Sequence, residues 1–174
     1  MEGVRLIENH RIEDERGNFL KFYSHERGQL EAPLQLHESF ISQSFEGVIR
    51  GFHLQTGRSA NHRIIQVVAG KVFDVLLDLR PSSKTFGTFE IHELSHSNSL
   101  TLIVPPGVAH GFQAIEKSTM LYLTSSTWDP KRDKGVNPLQ SGFNWPMPAT
   151  YVSARDRELP NLQECVERKL YSDD

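Results

Sequence analysis

Short apolar runs, broken at close intervals by glycine and proline, set the pattern of the chain. The breaks fall at Gly17, Gly28, Pro33, Gly47, Gly51, Gly57, Gly70, Pro81, Gly87, Pro105, Gly107 and Gly111. The segments between them are rich in Val, Ile, Leu, Phe and Thr, which is the spacing of an all-β chain. Strands are predicted over residues 19–23, 40–44, 48–53, 64–68, 72–79, 87–94, 100–104, 110–114 and 120–128. The clearest pair is 64–68 and 72–79, read as a hairpin turning at Ala69-Gly70-Lys71. In the second of these strands Phe73, Val75, Leu77 and Leu79 share one face, and Asp74 and Asp78 share the other with Val72 and Leu76. Two carboxylates on one face lie in solvent or line a polar cavity, and the alternation favours solvent. Beyond Asp156, the positions of Glu158, Leu162, Cys165, Val166 and Leu170 have a weak helical period, read as a short C-terminal helix covering the sheets. This strand count suits a β-sandwich or a jelly-roll barrel.

Composition narrows the function. At roughly 150 residues per domain, 174 residues make one domain spanning 1–174. Nineteen Lys and Arg against 22 Asp and Glu leave a net charge of -3, which argues against a general nucleic-acid or membrane-surface binder. The single Cys165 excludes an intramolecular disulfide framework and a multi-cysteine zinc module. No apolar run approaches the ~20 residues of a membrane span. The N-terminal MEGVRLIENH has no apolar core of a signal peptide, so a cytoplasmic location is expected.

Eight histidines is a high count for this length. His53, in Arg50-Gly51-Phe52-His53-Leu54-Gln55, and His110, in Gly107-Val108-Ala109-His110-Gly111-Phe112, fall at strand ends beside glycines. His10, His25, His37, His62, His92 and His96 read as ordinary surface positions. Strand histidines in a jelly roll suggest a metal cupin, but such sites usually want a His-x-His pair, and here the second position is Gln55. No metal is therefore expected. Without one, a histidine serves as a base near neutral pH. Asp156, Asp74, Asp78, Tyr122 and Tyr151 are candidates for its orienting acid and for a proton donor, and spacing does not choose among them. No Gly-x-Ser-x-Gly, Gly-x-Gly-x-x-Gly or P-loop occurs, so a phosphate-bearing ligand would be held by side chains. Arg16, Arg50, Arg63 and Arg155 sit beside turns or strand ends.

These segments resemble the dTDP-4-dehydrorhamnose 3,5-epimerase family of cupin-like jelly-roll enzymes. The resemblance is carried by Asp14-Glu15-Arg16-Gly17-Asn18-Phe19, by Gly47 to Gln55 and by Gly70 to Arg80. It continues through Ile103 to Phe112, Trp145-Pro146 and Ser153-Ala154-Arg155-Asp156, in the family's order over about residues 5–162. It implies that His53 is the general base, Asp156 its partner and Tyr122 the proton donor. It places Arg16, Arg50, His110 and Arg155 on substrate-binding positions. Phe19 and Trp128 fall where two rings hold the nucleotide base. It implies no cofactor and a homodimer in which an N-terminal strand crosses to the partner.

Several binding positions depart from the family pattern. Lys21 replaces a glutamate, and Glu38-Ser39-Phe40 replaces Gln-x-Asn. Arg63 replaces a lysine near the enolate oxygen, Asp133 a longer glutamate, Arg155 a lysine and Trp128 a tyrosine. Lys21 and Glu38 change charge, either for a different ligand or as a compensating ion pair. The resemblance thus implies a nucleoside-diphosphate 4-keto-6-deoxy-sugar epimerase. It leaves open the nucleotide (dTDP, CDP or GDP), the sugar and the inverted centre (C3, C5 or both). A sugar-nucleotide 3,4-ketoisomerase and a non-catalytic sugar-nucleotide binder are the competing readings. Gln55 argues against the first, and the intact His53, Tyr122 and Asp156 against the second.

Overall fold

Two five-stranded antiparallel sheets face each other, and the chain passes back and forth between them. The computed structural model describes residues 1–24, 34–168 and 171. One sheet holds β1 (Arg5–Glu8), β9 (Leu100–Val104), β6 (Arg63–Ala69), β11 (Ser118–Thr124) and β4 (Glu38–Ser44), in that order. The other holds β12 (Asp133–Gly135), β5 (Ile49–Gln55), β10 (Val108–Ala114), β7 (Lys71–Asp78) and β8 (Phe89–Ser95). A separate hairpin joins β2 (Arg11–Asp14) to β3 (Gly17–Leu20). This is the expected all-β, cupin-like jelly roll. The predicted 100–104 strand is found unchanged, and the predicted 120–128 strand ends at Thr124. Residues Gly28, Pro33, His25 and Leu170 lie outside the described residues.

The expected hairpin between residues 64–68 and 72–79 does not form. β6 pairs with β9 and β11, whereas β7 pairs with β8 and β10. Gly70 carries the chain from one sheet to the other at φ +74, where a Cβ would lie 2.3 Å from the Lys117 carbonyl. Both strands are apolar enough to be central, so each takes two partners in its own sheet rather than the other as an edge mate.

The faces of β7 correct a second expectation. Val72 and Leu76 enter the core between the sheets with Ile65, Leu102, Phe112 and Met120. Val75 and Leu77 enter a further apolar layer on the outer face, with Phe52, Leu54, Val136 and Cys165. Asp74 and Asp78 are therefore not in solvent; both are 0% exposed. Asp78 is satisfied by Arg80, Ser83 and Thr85, and these contacts hold its carboxyl far below its ordinary range despite burial.

The C-terminal segment supplies the outer cover. It forms two short helices rather than one, α1 (Ala154–Glu158) and α2 (Leu162–Glu167), because Pro160 interrupts the period. Ser153 caps α1 by accepting from the Asp156 amide. A parallel bridge between Val48 and Tyr151 lays this segment along the start of β5, which brings Asp156 behind His53.

Candidate active site

The site begins with a fault in the ladder. β5 and β10 pair His53 with His110, then Arg50 with Phe112, so between these pairs two residues, Gly51 and Phe52, oppose one, Gly111. This bulge puts both Arg50 and His53 on the inner face, although their spacing in a regular strand would send them to opposite faces. It depends on glycine. Gly51 has φ +123, and a Cβ there would lie 2.4 Å from Gly111 Cα.

The inner faces enclose a cavity of about 530 Å³ between the sheets. Of the residues singled out from sequence, Glu38, Phe40, Arg50, His53, Arg63 and His110 line it, with Tyr122, Trp128, Asp133 and Arg155. Asp156 stands behind His53, 3% exposed. Arg16, Phe19 and Lys21 do not reach the cavity. Arg16 pairs with Asp14 on the exposed hairpin, Phe19 is 59% exposed, and Lys21 follows β3 on exposed chain. Tyr151, weighed as a donor, is exposed and away from the cavity.

Two imidazole–carboxylate pairs occupy one wall. His53 Nε2 lies 2.7 Å from Asp156 Oδ1, and His110 Nε2 lies 2.7 Å from Asp74 Oδ2. Burial alone would raise the Asp156 carboxyl. The hydrogen bond and charge of His53, the Gly51 amide and Ser153 outweigh it and hold the pKa below the ordinary value. An ionised carboxylate only accepts, so His53 carries its proton on Nε2 and keeps Nδ1 as the basic nitrogen when neutral.

The opposite wall comes from the other sheet. Tyr122 is 5% exposed, and its hydroxyl lies 3.5 Å from Met120 Sδ. Burial and the negative charge of Asp74 push the phenol well above its usual pKa, so it stays protonated through the neutral range. Phe40, directly opposite on β4, stacks on its ring. Arg63 ties the walls together. Its Nη1 donates to the His53 carbonyl at 3.0 Å and its Nη2 to the Val108 carbonyl at 2.8 Å. Its Nε is buried without a partner, as is Asp74 Oδ1. Burial lowers the Arg63 pKa to about 10, which leaves the guanidinium charged at neutral pH.

The mouth is a chain of contacts. Glu38 Oε2 accepts from the Trp128 backbone N–H at 2.9 Å, and the Trp128 indole donates to Asp133 Oδ2 at 3.0 Å. Arg155 Nη2 pairs with the same carboxylate at 2.8 Å. Arg50 donates to Ser44 Oγ and the Gln43 carbonyl, both at 2.9 Å.

Sequence reasoning missed Ser42, Gln55, Phe112 and Thr124, which also line the cavity. Each lies two residues from a position already singled out, so the strand period was their available signal. Asn61, in the loop before β6, had none. Among the described residues, no three His, Cys, Asp or Glu side chains are grouped to hold a metal ion. Among the same residues, no helix is long and apolar enough to cross a membrane.

A carboxylate-backed imidazole and a protonated phenol on facing walls, with a buried cation beside both, suit proton transfer at carbon next to a carbonyl. Set in this fold, they define a cupin-like jelly-roll isomerase. The family model described as dTDP-4-dehydrorhamnose 3,5-epimerase matches residues 1–164, and the chain belongs to that family. The chain is 35% identical to a dTDP-4-dehydrorhamnose 3-epimerase of Streptomyces niveus, over 98% of this chain and 84% of the relative. It superposes with a TM-score of 0.93 on a 4-keto-6-deoxy sugar epimerase from the novobiocin gene cluster of Streptomyces spheroides. That match has 34% identity and covers 99% of this chain and 89% of the other. It superposes at 0.91 on a dTDP-6-deoxy-D-glucose-3,5-epimerase of Legionella pneumophila solved in complex with dTDP-4-keto-L-rhamnose. That match has 27% identity and covers 100% and 95% of the two chains.

Proposed function

We propose that this protein epimerises a dTDP-linked 4-keto-6-deoxy sugar in deoxysugar biosynthesis, with His53, Tyr122 and Asp156 as its catalytic residues. The observation that carries the reading is the placement of the His53–Asp156 pair and Tyr122 on facing sheets across one cavity. The 4-keto group acidifies the C–H bonds at C3 and C5. His53 removes one of these protons, and Asp156 stabilises the imidazolium. The electron pair moves to O4 as an enolate, which Arg63 stabilises from the buried floor. Tyr122 returns a proton to the opposite face of the ring, which inverts the centre.

The binding residues follow from the mouth. Arg50, His110 and Arg155 hold the sugar and diphosphate, while Trp128, fixed through Glu38 and Asp133, flanks the base. Phe40 closes the sugar pocket beside Tyr122. The β2–β3 hairpin pairs with no other described strand and carries Ile12 and Phe19 exposed. This supports a homodimer in which Arg16, Phe19 and Lys21 complete the partner's site. One domain over residues 1–174 and a cytoplasmic location belong to the same reading.

Solvent deuterium incorporation tests it. The protein is incubated in D₂O with dTDP-, CDP- and GDP-4-keto-6-deoxy sugars and the mass gain is followed. One deuteron incorporated assigns a single-centre epimerase and two assign both C3 and C5, with dTDP expected to exchange fastest. No exchange in protein that still binds a sugar nucleotide overturns the reading in favour of a non-catalytic binder.

A further inference from the structure

A second cavity, of about 600 Å³, opens on the other side of β12 and the end of β5. Leu54 and Gln55 form the wall common to both cavities; the other residues lining the second take no part in the first. β12 shows how the two are separated. Asp133 faces the first cavity, while its neighbours Arg132 and Lys134 face the second.

The second lining is strongly basic. Arg58, Lys131, Arg132 and Lys134 border it, and among the described residues none of their side chains has a hydrogen bond or ion pair. Arg80 also borders it, but Asp78 already holds its guanidinium. The one carboxylate in the lining is Asp129. Three positive charges are left uncompensated around one concave space, which repels itself in the free protein and attracts an anion.

Two further features mark a built site. The Arg132 guanidinium packs closely over the backbone at Gly57, where a Cβ would come within 2.2 Å of Nη1, so the glycine leaves room for the arginine in this position. In the shared wall, Gln55 is 8% exposed and its Nε2 is a buried donor without an acceptor. Its Oε1 is already used by the Asp129 amide.

We propose that this cavity is a second anion site, separate from the one containing His53, and that it takes a diphosphate group. A diphosphate carries about three negative charges near neutral pH, which matches the uncompensated charge of the lining. Its two phosphoryl groups offer acceptors enough for two arginine forks and two ammonium groups. The group arrives as inorganic pyrophosphate or on a nucleotide. The proposal is independent of the reaction carried out in the first cavity.

Calorimetric titration of the full chain with inorganic pyrophosphate tests it. The first cavity is weakened with Arg50→Ala/Arg155→Ala, and this variant is expected to keep one pyrophosphate per chain. Adding Arg58→Glu/Lys131→Glu, or separately Arg132→Glu/Lys134→Glu, is expected to weaken that binding by at least about ten-fold. The loop pair guards against misfolding of the strand pair, and Arg58→Glu/Lys131→Glu alone is expected to leave turnover without pyrophosphate unchanged. A parallel titration with dTDP separates the sources, because a second equivalent bound means a nucleotide also fits. Loss of all pyrophosphate binding in Arg50→Ala/Arg155→Ala, or binding that ignores both charge reversals, overturns the proposal.

Discussion

Phe40 lies flat against Tyr122, with ring centroids 4.6 Å apart and planes 11° from parallel. The two face each other directly across β4 and β11, so one ring covers a face of the other. Phe40→Asn is expected to cost about 0.5–1.5 kcal/mol of stability for the stack alone. It is also expected to lower kcat several-fold by admitting water around the donor. Urea denaturation and steady-state kinetics check the two effects, and an unchanged kcat would remove Phe40 from any part in positioning Tyr122.

His53→Asn is expected to lower turnover by about 10²–10⁴-fold with the sugar nucleotide still bound. Asp156→Asn is expected to act through the imidazole. Its amide would donate to Nε2 and move the ring proton to Nδ1, so kcat falls far more than KM rises. Comparable falls in kcat without loss of binding are the expected signature.

Tyr122→Phe separates removal of the proton from its return. His53 remains able to take a proton and give back a deuteron on the same face. Exchange in D₂O is therefore expected to continue while formation of the inverted product falls steeply, by mass spectrometry and NMR on one sample. Loss of both together would place Tyr122 in the first step.

Gly51 and Gly87 both have positive φ, but only one is crowded. A Cβ at Gly51 meets the Gly111 backbone at 2.4 Å, whereas nothing lies within 4 Å of one at Gly87. Gly87→Ala is expected to cost about 1 kcal/mol of backbone strain and leave activity intact. Gly51→Ala is expected to cost at least about 3 kcal/mol and to abolish turnover, because it disturbs the bulge that turns Arg50 and His53 inward. Denaturant midpoints and kcat of the two variants make the comparison.

Asp156 also sets an acid limit. Its folded pKa lies below the ordinary 3.8, so the unfolded chain takes up the proton first as pH falls. The stabilisation is complete above the ordinary carboxylate value and is lost as pH drops from there through the depressed folded value. Urea midpoints measured between about pH 5 and pH 2 should fall more steeply for the natural chain than for Asp156→Asn.

Much of the site was legible because strand chemistry is local. Alternating apolar segments and glycine breaks defined an all-β chain, and motif order brought His53, Tyr122 and Asp156 forward as a set. The short strands β1, β2 and β12 were missed, since four residues or fewer carry too little pattern to stand out from a loop. The hairpin at Gly70 was misread because a tight turn between two apolar runs has the same local chemistry whether the runs pair or enter different sheets.

The sequence alone determined the residue types available for acid–base chemistry and the period that sorts them onto faces. Tertiary structure decided which carboxylate met which imidazole. Asp156 and Asp74 were equal candidates by spacing, and each reached its own histidine, one through the capped turn of α1 and the other across β7 and β10. It also decided that Arg50 and His53 share a face, against the strict alternation of a strand. The reason is that a bulge exists only where two backbones approach more closely than a side chain would permit, and that approach is a property of the pair of strands rather than of either one.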